Sequence, residues 1–129
     1  MSNYNKGASG ERELLSLFYD EGFVGLRAPT SGGCTQRELP DVIVGKHGDI
    51  YCFEVKRCGG DYLYLDSEEL EELKVFSDAF GAEYYIAVRF DYESSWYFFN
   101  EESMHKTEGG QYRVKKEKSN KGETITDII

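Results

Sequence analysis

Asp41-Val-Ile-Val-Gly-Lys46 and Ile50-Tyr-Cys-Phe-Glu-Val-Lys56 are two runs of strand-forming residues with His47-Gly48 between them. The dipeptide suits a two-residue hairpin turn, because Gly accepts positive φ freely and His enters the left-handed region more often than most residues. With that turn Lys46 faces Asp49 and Asp41 faces Glu54. Opposed residues share a face of the sheet, and Lys56, two beyond Glu54, shares it too. A loop longer or shorter by one residue would send Asp41 to the other face unless a bulge compensated. Two carboxylates and an ammonium converging on one face are costly unless they bind a divalent metal and do chemistry.

The rest of the chain divides around this hairpin. Residues 9–21 read as a helix, with Leu14, Leu15, Phe18 and Tyr19 at helical spacing and Gly22 as its stop. Phe23–Arg27 reads as a short strand, and Thr30–Thr35 as a small-residue loop. After the Gly59-Gly60 break come a short extended piece, 62–65, and a second helix over 67–80. Asp66 can cap that helix, early glutamates favour its positive end, and Gly81 suits its C-terminus. Leu70, Leu73, Phe76 and Phe80 mark its apolar stripe. Residues 84–90 and 96–99 read as two further strands. The strand–helix–strand passage favours parallel pairing by a right-handed crossover, hence an α/β domain with a mixed sheet. Residues 1–114 are expected to form one domain, with 115–129 a tail of which Ile125–Ile129 could return to the surface.

At 129 residues one core is affordable and two are not. No run of about 18 apolar residues spans a membrane, and the first residues lack a secretory signal. Cys34, Cys52 and Cys58 are odd in number without Cys-x-x-Cys spacing, so free thiols in a reducing cytoplasm are expected. Net charge is −9, which argues against a simple nucleic-acid binder. Its distribution softens this: residues 1–60 hold eight acids and seven bases, residues 61–129 sixteen and eight. The half carrying the candidate site is close to neutral once a cation offsets its ligands.

Asp41 and Glu54 are hard oxygen donors suited to Mg²⁺ or Mn²⁺. Glu11 could add a third if its helix packs beside the hairpin. Lys56 would orient or deprotonate an attacking water and stabilise negative charge. Each has a bland alternative. Glu-x-Lys on a strand is commonly an exposed ion pair worth under ~1 kcal/mol, and Glu11 alone is commonly a helix-dipole acid. The glutamates of the second helix read as a solvated face with no site, His47 reads as a turn residue, and His105 has no partner in sequence.

Pro40-Asp41 followed by Glu54-Val55-Lys56 is the pattern of PD-(D/E)xK nucleases, and the surrounding residues narrow the resemblance. Lys6-Gly-Ala-Ser-Gly-Glu11-Arg12-Glu13-Leu14, Gly22-Phe23, Arg27-Ala-Pro29, Ser31-Gly32-Gly33, the Phe76-x-x-x-Phe80-Gly81-Ala82 helix end and Ile86–Phe90 occur in order over about residues 5–100. The chain resembles the archaeal-type Holliday junction resolvases. That resemblance implies a restriction-endonuclease-like mixed sheet flanked by helices and a symmetric homodimer. It also implies Mg²⁺-dependent paired nicking of four-way DNA junctions during recombination and repair, with Mn²⁺ able to substitute. By motif, Glu11, Asp41, Glu54 and Lys56 would form the catalytic centre, the first three as metal ligands. Ser31 would approach the scissile phosphate, and Lys6, Arg12 and Arg27 would contact DNA phosphates. A cytoplasmic, nucleoid-associated protein of a prokaryote, or of a virus in its host cell, is expected. The alternatives are a PD-(D/E)xK nuclease acting on linear DNA and a branched-DNA-binding module without catalysis.

Overall fold

The computed structural model describes residues 3–28, 38–91, 93–116 and 122–129, with backbone alone for 3–7. Ser31, Cys34 and the side chain of Lys6 lie outside what it describes. In chain order the elements are α1 (Asn3–Asp20), β1 (Val24–Arg27), β2 (Val42–Lys46), β3 (Asp49–Cys58), β4 (Tyr62–Asp66), α2 (Ser67–Phe80), β5 (Glu83–Phe90), β6 (Tyr97–Phe99), β7 (His105–Lys106), β8 (Gln111–Lys115) and α3 (Ile125–Ile128). A 3-10 turn at Glu101–Ser103 joins β6 to β7.

The hairpin has the expected register. Lys46 pairs with Asp49 and Val42 with Phe53, and both His47 (φ 49) and Gly48 (φ 92) take the left-handed region. The ladder stops one residue short of Asp41. There the Asp41 amide donates to the Phe53 carbonyl at 2.9 Å rather than forming a regular pair with Glu54.

Five strands form the main sheet in the order β1-β2-β3-β5-β6, and the β3–β5 pair is parallel. The α2 crossover imposes this. Helix α1 covers one face. Its Leu14 and Phe18 are fully buried, with Phe18 against Phe53 at 5.1 Å and edge-on to Phe23 at 5.3 Å. The other face is covered by α2, through Leu70 and Leu73, and by a second sheet that the sequence reading did not include. That sheet has the order β4-β8-β7. Its Leu65, Tyr112 and Val114 complete the core over Cys52, Ile86 and Val88.

Helix α1 begins six residues before its expected start. Glycines depress helix propensity in that first stretch, yet Gly10 packs against side chains of β3. A Cβ there would meet Arg57 Cδ at 2.9 Å. Gly25 is constrained more tightly, since a Cβ would sit 2.1 Å from the Ile43 carbonyl oxygen.

The far end of the chain rejoins the main sheet. Glu123 bridges Phe98, Ile128 is buried among the α1-side residues, and the Tyr51 hydroxyl donates to the Ile128 carbonyl at 2.7 Å. Cys52 and Cys58 are buried free thiols, as expected. Among the described residues no helix is long and apolar enough to cross a membrane.

Candidate active site

Asp41 stands where β1 and β2 part. Beyond the Arg27–Val42 pair, the Ala28 amide donates to the Asp41 carbonyl at 3.0 Å. Its carboxylate Oδ2 accepts from the Val55 amide at 2.9 Å, so the side chain is pinned to β3 beside Glu54. Alternation along β3 turns Cys52, Glu54, Lys56 and Cys58 to one face and Phe53 and Val55 to the other. Cys52 and Cys58 lie in the core under α2 and Phe53 lies in the core under α1. Glu54 and Lys56 therefore open toward α2, where Glu69 meets them.

Lys56 Nζ lies 3.8 Å from Glu54 Oε1 and 3.4 Å from Glu69 Oε1. The second oxygen of Glu69 accepts from the Asp66 amide at 3.3 Å, closing one half of a capping box at the start of α2. One carboxylate thus ties the lysine to a helix end. The solvated-face reading holds for the exposed Glu68, Glu71 and Glu72 but not for Glu69. In sequence Glu69 is an ordinary acid in the first helical turn. Only the packing of α2 against β3 distinguishes it from its neighbours.

Glu11 approaches from the opposite side. The α1 helix buries it to 8% exposure, and Arg27 Nε donates to its Oε1 at 3.2 Å. Arg12, on the exposed side of the same turn, contributes favourable charge to Glu11. Arg27 and Glu11 therefore form a partly buried ion pair at the end of β1.

The electrostatics follow from crowding. Burial, then the charge of Asp41, pushes the Glu54 carboxyl up to about 8, against the pull of Lys56. Asp41 is also raised, chiefly by burial, although the Val55 hydrogen bond and Lys56 oppose the shift. The two carboxyls share a hydrogen bond, so they compete for one proton. Glu11 is raised by burial and then by Asp41, with Arg27 opposing. When ionised, Glu11, Asp41, Glu54 and Glu69 set four negative charges against Lys56 and Arg27. The excess of negative charge over these cations, all on hard oxygen, suits a divalent cation. A hollow of about 30 Å³, lined by Glu38, Pro40, Glu54, Glu69 and Glu72 among others, lies at the same place. Among the described residues no three His, Cys, Asp or Glu groups converge tightly enough to form a ready-made metal cage, and Glu11 is turned to Arg27.

The expected residues thus meet in one place where they can be followed. Asp41, Glu54 and Lys56 share a site, and Glu11 and Arg27 border it.

Comparison with known proteins assigns the chain to a family. A family model described as archaeal Holliday junction resolvase matches residues 2–129, well beyond the 5–100 over which motifs were legible. The crossover junction endodeoxyribonuclease Hjc of Sulfurisphaera tokodaii is 33% identical over 99% of this chain and 88% of its own length. The enzyme of the same name from Sulfolobus acidocaldarius is 33% identical over 100% of the chain and 90% of its own. The 1.6 Å structure of Archaeoglobus fulgidus Hjc superposes with a TM-score of 0.83 at 28% identity, covering 95% of this chain and 94% of the other. The chain belongs to the archaeal Holliday junction resolvase family.

Proposed function

We propose that this chain is a divalent-metal-dependent endodeoxyribonuclease that resolves four-way DNA junctions by paired, symmetric nicks. The observation that carries the proposal is the convergence of Asp41, Glu54 and Lys56, with Asp41 locked by the Val55 amide and Lys56 held by Glu69. Asp41 and Glu54 would hold Mg²⁺, or Mn²⁺ in its place, and Glu11 would join them if Arg27 released it. When bound, the cation supplies positive charge to the phosphoryl oxygens and acidity to the attacking water. Lys56 Nζ orients that water and neutralises charge developing on the phosphate. Arg27 and Arg12 flank the site and bind the DNA backbone, with Lys6 and Ser31 as further DNA contacts.

The working unit is a homodimer, because paired nicks on opposed strands need two equivalent centres. Its interface lies on α2, where Phe80 is 50% exposed and stacks on Phe76 at 5.4 Å beside an exposed Val75. The protein acts in recombination and repair on DNA in the cytoplasm.

The test compares a synthetic four-way junction with a linear duplex of matched sequence, with Mg²⁺ and with chelator. Paired nicks confined to the junction are expected, and they should vanish in Asp41→Asn and Glu54→Gln. Equal cutting of both substrates would replace the resolvase with a general nuclease. Cleavage that survives both substitutions would mean that the site is elsewhere.

A further inference from the structure

The second sheet presents an outward face whose composition differs from the rest of the chain. In β4–β8 pairing Tyr62 faces Lys115 and Tyr64 faces Arg113, while β7 sets His105 opposite Arg113. Opposed residues share a face, and the other face (Leu63, Leu65, Tyr112, Val114) is the one packed into the core. Tyr62, Tyr64, His105, Arg113 and Lys115 therefore form one outward surface.

Two large aromatic side chains lie open on it, at 47% and 48% exposure, stacked with ring centroids 6.3 Å apart. The Arg113 guanidinium and the Lys115 ammonium each lie 5.7 Å from the Tyr62 ring centre. The ring quadrupole thus gathers two cations at one spot. Arg113 Nε is itself buried without a hydrogen-bond acceptor among the described residues, so the phosphate contact falls to the terminal nitrogens of this half-buried side chain. Acids stand at the margins: Asp61 and Glu93 border a hollow beside Tyr62 and Lys115. Asp66, on the same face, accepts a 2.8 Å bond from Gln111.

Charge sharpens the contrast. Residues 105–116 carry four Lys or Arg against one acid, a net of +3 in a chain whose remaining residues sum to −12. In so acidic a protein, a polyanion can be held only where cations are concentrated locally. The face also adjoins the cleavage site. Strand β4 runs from Tyr62 through Tyr64 to Asp66, a residue pair every ~7 Å, and Asp66 is bonded to the Glu69 that holds Lys56.

We propose that this face, centred on Arg113 and Lys115 over Tyr62, carries the phosphodiester backbone of a duplex DNA arm leaving the active site. This rests on the nuclease reading above and extends it with a second anchoring surface. Arg113 supplies a planar fork for phosphate oxygens. Tyr62 holds both cations ordered beforehand, which lowers the entropic cost of contact. The surface positions DNA and reads no sequence.

The test measures junction binding in chelator across a salt series for the wild type, Arg113→Gln, Lys115→Gln, the double variant and Lys46→Gln. Lys46, at the hairpin tip, serves as the charge control. The double variant is expected to bind about tenfold more weakly, with the log–log salt slope shallower by about two. Arg113→Lys should retain most of the slope, which keeps the test valid if a glutamine variant folds poorly. An unchanged slope in the double variant, or an equal loss in Lys46→Gln, would overturn the proposal. The resolvase reading fails separately: if the wild type bound and cut linear duplex as well as junction, the same slopes measured on duplex would still decide this surface.

Discussion

Glu69 offers one oxygen to Lys56 and the other to the amide of Asp66, the N-cap of α2, so the lysine ammonium is positioned by a helix rather than by its own flexible stem. Glu69→Gln keeps the shape and removes the charge. Single-turnover cleavage is expected to fall about tenfold with junction affinity unchanged, because a loosened lysine affects the reacting geometry more than binding. An unaltered rate would reduce Glu69 to a helix cap. The Glu54–Asp41 pair makes a second prediction. Glu54 titrates near 8 when folded, against an ordinary 4.5, so the folded chain holds the extra proton through that window. Stability without metal should therefore fall as pH rises from about 4.5 to about 8. Mg²⁺ should offset the loss by replacing the proton, and Glu54→Gln should flatten the slope without metal. Thermal unfolding in chelator at several pH values tests this, and parallel slopes for wild type and Glu54→Gln would refute it.

At the scale of elements, the β2–β3 hairpin sets the site. Its two-residue turn places Lys46 opposite Asp49, and from there the pleat determines that Glu54 and Lys56 share a face. Gly48 at φ 92 has open space around it, so a side chain there meets only backbone strain. Gly48→Val should cost roughly 1–2 kcal/mol, measurable by denaturant unfolding, while the register and cleavage survive because strand pairing holds the rest. Loss of cleavage alongside intact folding would indicate a register slip. Helix α1 contributes through Gly10, whose missing Cβ lets the helix settle on Arg57 and brings Glu11 to the rim of the site.

For the whole molecule, two layers cover opposite faces of the main sheet. The candidate site lies at the rim where α1, the parting of β1 from β2, and the start of α2 meet. The exposed Phe80 on the outside of α2 contributes little to the monomer core. Phe80→Asp is therefore expected to convert dimer to monomer in sedimentation with little change in the unfolding midpoint. A dimer that persists would move the interface off α2. Residues Gly122 to Ile129 belong to this scale as well. Composition predicts a loose stretch over 115–124 with Ile125–Ile129 returning to the domain surface, and Ile128 packs there, buried beside Tyr51.

Local pattern was enough for the hairpin, both long helices, the parallel crossover and the Asp41, Glu54 and Lys56 set. Turn chemistry, the strand period of two and helix caps act over a few residues and are written in the chain itself. The second sheet was not legible. Strand β8 meets β4 across some fifty intervening residues, and β7 is two residues long, so neither has a local signature. Glu69 was hidden for the same reason, since its partner Lys56 is reached only after a strand, a break and a helix start. Arg27 is expected from the sequence as a phosphate contact, and its ion pair with Glu11 is an addition that depends on how α1 crosses the end of β1. Residue chemistry could therefore be read directly from the chain, while the choice of partners was made by tertiary packing, because burial and charge compensation are properties of neighbours in space.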